Sequence, residues 1–183
     1  MADLVLDPAK SRVRLRTFAE GLFARLAHDL ELTCTELSGR ATRHESNAAS
    51  GTATIDVPIG KIEVAGVLQG GRVDERGLSP SDRADCLEKM RKDVFHANAS
   101  AIVRVHVVLD NGAARVRIEP PNGRAVERTT RPDVTAEDGA VRVTGTLDLS
   151  LAAIGSAQVK GPMNAFRVKD RVEVLFDVGF YPA

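Results

Sequence analysis

Tryptophan is absent from this chain, tyrosine occurs once and phenylalanine six times. Any cavity must therefore be walled mainly by Val, Leu, Ile and Ala. Cysteine is scarce as well: Cys34 and Cys86 lie far apart and form no CxxC pair. In a reducing compartment they read as small buried thiols rather than as a disulfide. A charge excess is missing too, since Lys plus Arg (25) equals Asp plus Glu (25). Nucleic-acid binders draw affinity from neutralised phosphates and usually carry a basic excess, so that class is disfavoured. No run approaches the ~20 apolar residues that span a bilayer. The opening MADLVLDPAKSRVRL has no basic region followed by an apolar stretch, so it is not a secretory signal. The expectation is a soluble, cytoplasmic protein. At 183 residues one domain over 1–183 is the natural division, long enough to bury a core without metal or disulfide staples.

What the chain does have is period-two alternation. In SRVRLRTF, Val13 and Leu15 point one way and Arg12, Arg14 and Arg16 the other. GTATIDVPIG sets Ala53, Ile55 and Val57 against Thr52, Thr54 and Asp56. SAIVRVHVVL sets Val103, Val105 and Val107 against Arg104 and His106, and ARVRIE puts Val116 and Ile118 on one face. AVRVTGTLDLSL directs Val141, Val143, Leu147, Leu149 and Leu151 inward. RVEVLFDVGFYP gathers Val172, Val174, Phe176, Val178 and Phe180 on a single face. Alternation this regular indicates antiparallel sheet with one dry and one wet side.

Helical signals are fewer. SPSDRADCLEKMRKDVF opens with Ser79 as N-cap, Pro80 at the first helical position and Asp82 in the first turn. Cys86, Met90 and Val94 then fall at helical spacing, with Leu87 beside them, and predict one amphipathic helix packed on the sheet. GLFARLAHD, residues 21–29, predicts a short early helix with Leu22, Phe23 and Leu26 facing the sheet. Residues 42–51, 66–77 and 119–139 are rich in Gly, Pro, Asn and Asp and read as turns, the last hiding a further strand near RAVERTT. The sum is a mainly β chain of about eight strands, which curls into a barrel or splits into a sandwich.

Three stretches together resemble the YceI-like family. They are DPAKSRVRL with LFARLAHDLEL, the amphipathic helix running into DVFHANASAIVRV, and GTLDLSLAAIG before an alternating last strand. They occur in order from about Leu4 to Tyr181. The resemblance implies an eight-stranded antiparallel barrel of lipocalin-like shape, with helices flanking it and a long apolar tunnel inside. It implies binding of polyisoprenoid chains, such as quinone tails, or of other amphiphiles. Typical members are exported to the periplasm, whereas no leader is visible in this sequence. Eight strands enclose a lumen that side chains can fill or that one slender ligand can occupy, and both outcomes follow equally from the sequence.

The candidate site residues follow from these faces. Val13, Leu15, Leu32, Ile55, Val57, Val103, Val105, Val143, Leu147, Leu149, Val174, Phe176 and Val178 are expected to point inward and line the tunnel. His28, Met163 and Phe166 are placed at its mouth, the last two on AAIGSAQVKGPMNAFRVKD, where Gly155 and Gly161–Pro162 break the pattern. His28–Asp29 is open to a base–orienter reading, but no GxSxG or HExxH motif accompanies it. A helix-to-strand joint, with the side chains bonding free backbone groups, is the simpler reading. His28, His44, His96 and His106 lie on different segments without ligand spacing, so no metal site is expected. The outward arginines, Arg115 and Arg117 among them, read as a solvated face balanced by acidic neighbours. No catalytic residue and no cofactor is expected. The function expected is non-enzymatic sequestration of a long-chain amphiphile, polyisoprenoid or fatty; the alternative is an interaction protein with a filled core. The expected partners are that lipid ligand and, in a homodimer, a second copy of the chain.

Overall fold

The structure, a computed structural model, describes residues 1–21 and 27–183. The short early helix, with Leu22, Phe23 and Leu26, falls outside the described residues. Where the alternation is strongest, strands form: β1 (Ala2–Thr17), β5 (Asn47–Pro58), β8 (Ile102–Asp110), β9 (Ala113–Glu119), β12 (Ala140–Ser150) and β14 (Arg171–Pro182). Between them lie β2 (Ala19–Glu20), β3 (Leu30–Cys34), β4 (Ser38–His44), β6 (Glu63–Gln69), β7 (Arg72–Asp74), β10 (Val126–Thr130), β11 (Asp133–Glu137) and β13 (Arg167–Val168). All pairings are antiparallel.

The count of eight strands is corrected. Twelve strands share one sheet in the order β10-β9-β8-β5-β4-β1-β14-β12-β11, with β3, β6 and β7 branching from β1, and β13 pairs β2 separately. Weakly patterned segments account for the surplus. Gly70 and Gly71, both at positive φ, turn β6 into β7, and residues 119–139 hold two strands rather than one.

The branch has a local cause. Opposite β14 the register of β1 shifts between Asp7 and Arg12, a bulge that bends the strand. Residues before it pair β4, and residues after it pair β3. Buried Ser11 repairs the gap: its hydroxyl accepts from Gly179 N at 3.0 Å in place of a ladder bond.

The sheet curls but is not closed by a backbone ladder. β11 pairs β12 only over Ala140–Thr144. Beyond that point β10 approaches β12 through side chains: Thr130 Oγ1 donates to Thr146 O at 2.8 Å and Arg128 Nε to Asp148 O at 3.2 Å. The seam is stitched from one strand's side chains to the other's carbonyls.

The amphipathic helix is α1 (Pro80–Lys89), followed by a π-helical turn, Met90–Val94. Ser79 caps it as its sequence predicts: Ser79 Oγ accepts from Asp82 N at 3.1 Å, and Asp82 Oδ2 accepts from Ser79 N at 3.4 Å. Met90 is buried, and Cys86, Leu87 and Phe95 pack against the same core. Among the described residues no helix is long and apolar enough to cross a membrane.

Candidate functional site: two apolar chambers

Period-two alternation requires one face of each strand to meet the lumen, yet the lumen is not packed solid. Two cavities lie inside it. The smaller, about 160 Å³, is walled by residues such as Leu4, Ile55, Val107, Val143, Phe176 and Phe180. The larger, about 540 Å³, lies toward α1 and is walled by Leu15, Leu32, Met90, Phe95, Leu149 and Val172 among others. The chambers adjoin, because Val13, Val57, Val105, Ile118 and Val174 line both.

Every tunnel position read from the sequence borders this space. Ile55, Val143, Leu147, Phe176 and Val178 line the smaller chamber, Leu15, Leu32, Val103 and Leu149 the larger, and Val13, Val57, Val105 and Val174 both. Several, including Leu15, Val105, Val174 and Phe176, are only half-buried. They face the inside of the sheet, so the open volume explains their residual accessibility. Val107, Val116, Ile118, Val141, Val172 and Phe180 also line the chambers. Their signal lay in the same alternating faces.

The mouth residues divide. Exposed lining residues mark where the larger chamber meets solvent: His28, Asp82, Asp85, Lys89 and Lys160. Phe166 lines that chamber, half-buried, with its ring over Gly161, where an added Cβ would collide with it. The expectation at Met163 is not met. It is 100% exposed, at φ 52°, and lines neither chamber. It sits within the turn at Pro162–Asn164.

His28–Asp29 builds a joint. Asp29 Oδ1 accepts from Ala19 N at 2.9 Å and Asp29 O from Leu68 N at 2.7 Å, tying β2 and β6 to the start of β3. The carboxylate is engaged with backbone rather than with the imidazole. Among the described residues no group of three or more His, Cys, Asp or Glu is placed to hold a metal.

Two features escaped the sequence. Cys34 and Cys86, far apart in the chain, both line the larger chamber. Burial pushes both thiols above their ordinary value, Cys86 further helped by Asp82 and Asp85. Glu31, on the wet side of β3, is buried, and its carboxylate accepts from Arg16 Nε at 2.9 Å. The remaining outer face is laced with ion pairs, Arg104–Asp56, Arg117–Glu119 and Arg142–Asp177 among them, as a solvated charged face requires.

No family model matches the chain, and no curated protein sequence does. Among solved structures it is similar to the crystal structure of Burkholderia cenocepacia BcnA, with a TM-score of 0.64 and 16% sequence identity. The match covers 95% of this chain and 98% of that one. The two share a fold.

Proposed function

We propose that this chain sequesters the hydrocarbon part of a long-chain amphiphile, polyisoprenoid or fatty, without performing chemistry on it. The observation that carries the reading is the pair of adjoining, mainly aliphatic chambers, with exposed charged groups where the larger one opens and half-buried Arg43 the charged residue in the lining of the smaller. At about 540 Å³ the larger chamber falls within the roughly 300–1,000 Å³ range of small-molecule sites.

Energetics favour an occupied lumen over a filled-core interaction protein. Cavity volume costs about 24 cal/mol per Å³ relative to good packing. The smaller chamber of about 160 Å³ therefore forgoes on the order of 4 kcal/mol, a large share of a typical domain's roughly 5–15 kcal/mol. A seated chain recovers it, each buried methylene contributing about 0.8 kcal/mol, or roughly fourfold in affinity. The rim offers Asp82 and Asp85 against Lys89 and Lys160, so neither sign dominates. Headgroup selectivity is therefore weak and chain burial supplies the affinity.

The test is native mass spectrometry of freshly purified protein, with lipid extraction of the same sample. An adduct recovered as an isoprenoid or fatty chain supports the carrier. A protein that is empty and also ignores added farnesol and palmitate overturns it.

A further inference from the structure

Resting on that reading, we infer that Val13, Val57, Val105, Ile118 and Val174 form a rigid waist that grades ligands by the length and branching of their tails. A chain fills the larger chamber first, and only its slender end passes the waist into the smaller one. These residues are the only lining shared by the two cavities among the described residues, so any chain reaching from one to the other must pass them.

The five residues stand in two groups on the sheet. Val57, Val105 and Ile118 stand on β5, β8 and β9, which are consecutive neighbours in the sheet. Val13 and Val174 stand on β1 and β14, a neighbouring pair further along the same curled sheet. Register locks each group: Val105 faces Ile55 and Ile118 on its two sides, and Val174 faces Leu15 and Leu147. Every member is β-branched, and such side chains are stiff at χ1. A constriction of Leu or Met would yield to a bulky tail by changing rotamer, whereas one of Val and Ile keeps a fixed aperture. The ends differ as well. The exposed charged rim, Asp82, Asp85, Lys89 and Lys160, belongs to the larger chamber. The smaller one's charged lining residue, Arg43, is half-buried, so the headgroup stays at the rim and the smaller chamber receives the tail terminus.

The experiment is native mass spectrometry of the full chain with an equimolar mixture of decanol, hexadecanol, docosanol and the methyl-branched phytol. Wild type should rank the linear alcohols by length, with roughly fourfold in occupancy for each further sheltered methylene, and should discriminate against phytol. Val105→Phe narrows the waist: decanol should bind as before, and hexadecanol and docosanol should fall to its level. Val105→Ala widens it, and phytol should rise toward hexadecanol. Unaltered decanol binding in Val105→Phe also shows that this variant folds. If it does not fold, Val105→Ala decides alone, and an unchanged phytol-to-hexadecanol ratio overturns the inference. So does a Val105→Phe protein that keeps the wild-type length ranking, or a wild type indifferent to length. A wild type that binds none of the alcohols overturns the carrier reading itself.

Discussion

Gly145 sits opposite Phe176 in the β12–β14 ladder, and the aromatic ring lies directly over it. A Cβ at this position would come within 2.6 Å of Phe176 Cζ and 3.0 Å of Cε2. In Gly145→Ala the ring must leave the wall and swing into the smaller chamber. Two effects compete. Replacing a strand glycine gains roughly 0.5–1 kcal/mol by restricting the unfolded chain. Displacing a packed ring costs about 1–3 kcal/mol, so the variant should lose about 1–2 kcal/mol net. In a Phe176→Leu background the obstacle is gone, and the same alanine should be neutral or stabilising by about 0.5 kcal/mol. The coupling between the two sites is then about 2 kcal/mol, inside the range for residues in contact. Without tryptophan, urea unfolding is followed by far-UV circular dichroism, comparing midpoints at unchanged slope. A cycle that is additive within about 0.5 kcal/mol would mean that the ring does not rest on Gly145, and the account of the smaller chamber's wall would fail.

Leu149→Arg places a guanidinium on the wall of the larger chamber; the protein should lose its bound chain, and a folded variant retaining the same adduct places the ligand elsewhere. Arg16→Met strips buried Glu31 of its nearest cation, leaving, among the described residues, Arg14 at 3.9 Å. Stability should fall by about 3 kcal/mol, with most of it restored by Glu31→Met in the same chain; a loss under about 0.5 kcal/mol would place the pair effectively in water. Maleimide should label both thiols slowly at neutral pH, since only the thiolate reacts and both are pushed up by burial. Half-buried Cys86 should react before buried Cys34, and a seated hexadecanol should slow it further; a rate unmoved by the alcohol argues against occupancy of the larger chamber. The Asp177 carboxyl is held below its ordinary value chiefly by the Arg142 hydrogen bond. Its contribution is therefore present above the ordinary aspartate range and lost as pH falls through the depressed value. Arg142→Gln should flatten the acid limb of a stability–pH profile, and an unchanged limb would show that the pair is fully screened.

Alternation alone settled which side chains face inward. A β-strand turns successive residues to opposite faces, so Val13, Ile55, Val105 and Val174 had to share the dry side wherever their strands paired. The helix start was equally legible, because Ser79, Pro80 and Asp82 act through bonds within a few residues of one another. Strand number was not. β4, β6, β7 and β11 carry little periodicity and hold their places through partners: β6 is kept by β3, and β3 by the half of β1 beyond its bulge. Glu31 reads as a wet-face residue until β6 and the arginines of β1 cover it.

The lumen belongs wholly to the tertiary structure. Periodicity states that a face is apolar but not how far it stands from the face opposite. That separation depends on how the sheet curls, on the seam that Thr130 and Arg128 make with β12, and on how Phe176 lies against Gly145. These are contacts between residues distant in sequence, so no local pattern encodes them. The residues of a core and the residues of a tunnel are the same residues; the distance between the walls, set by the fold, makes the difference.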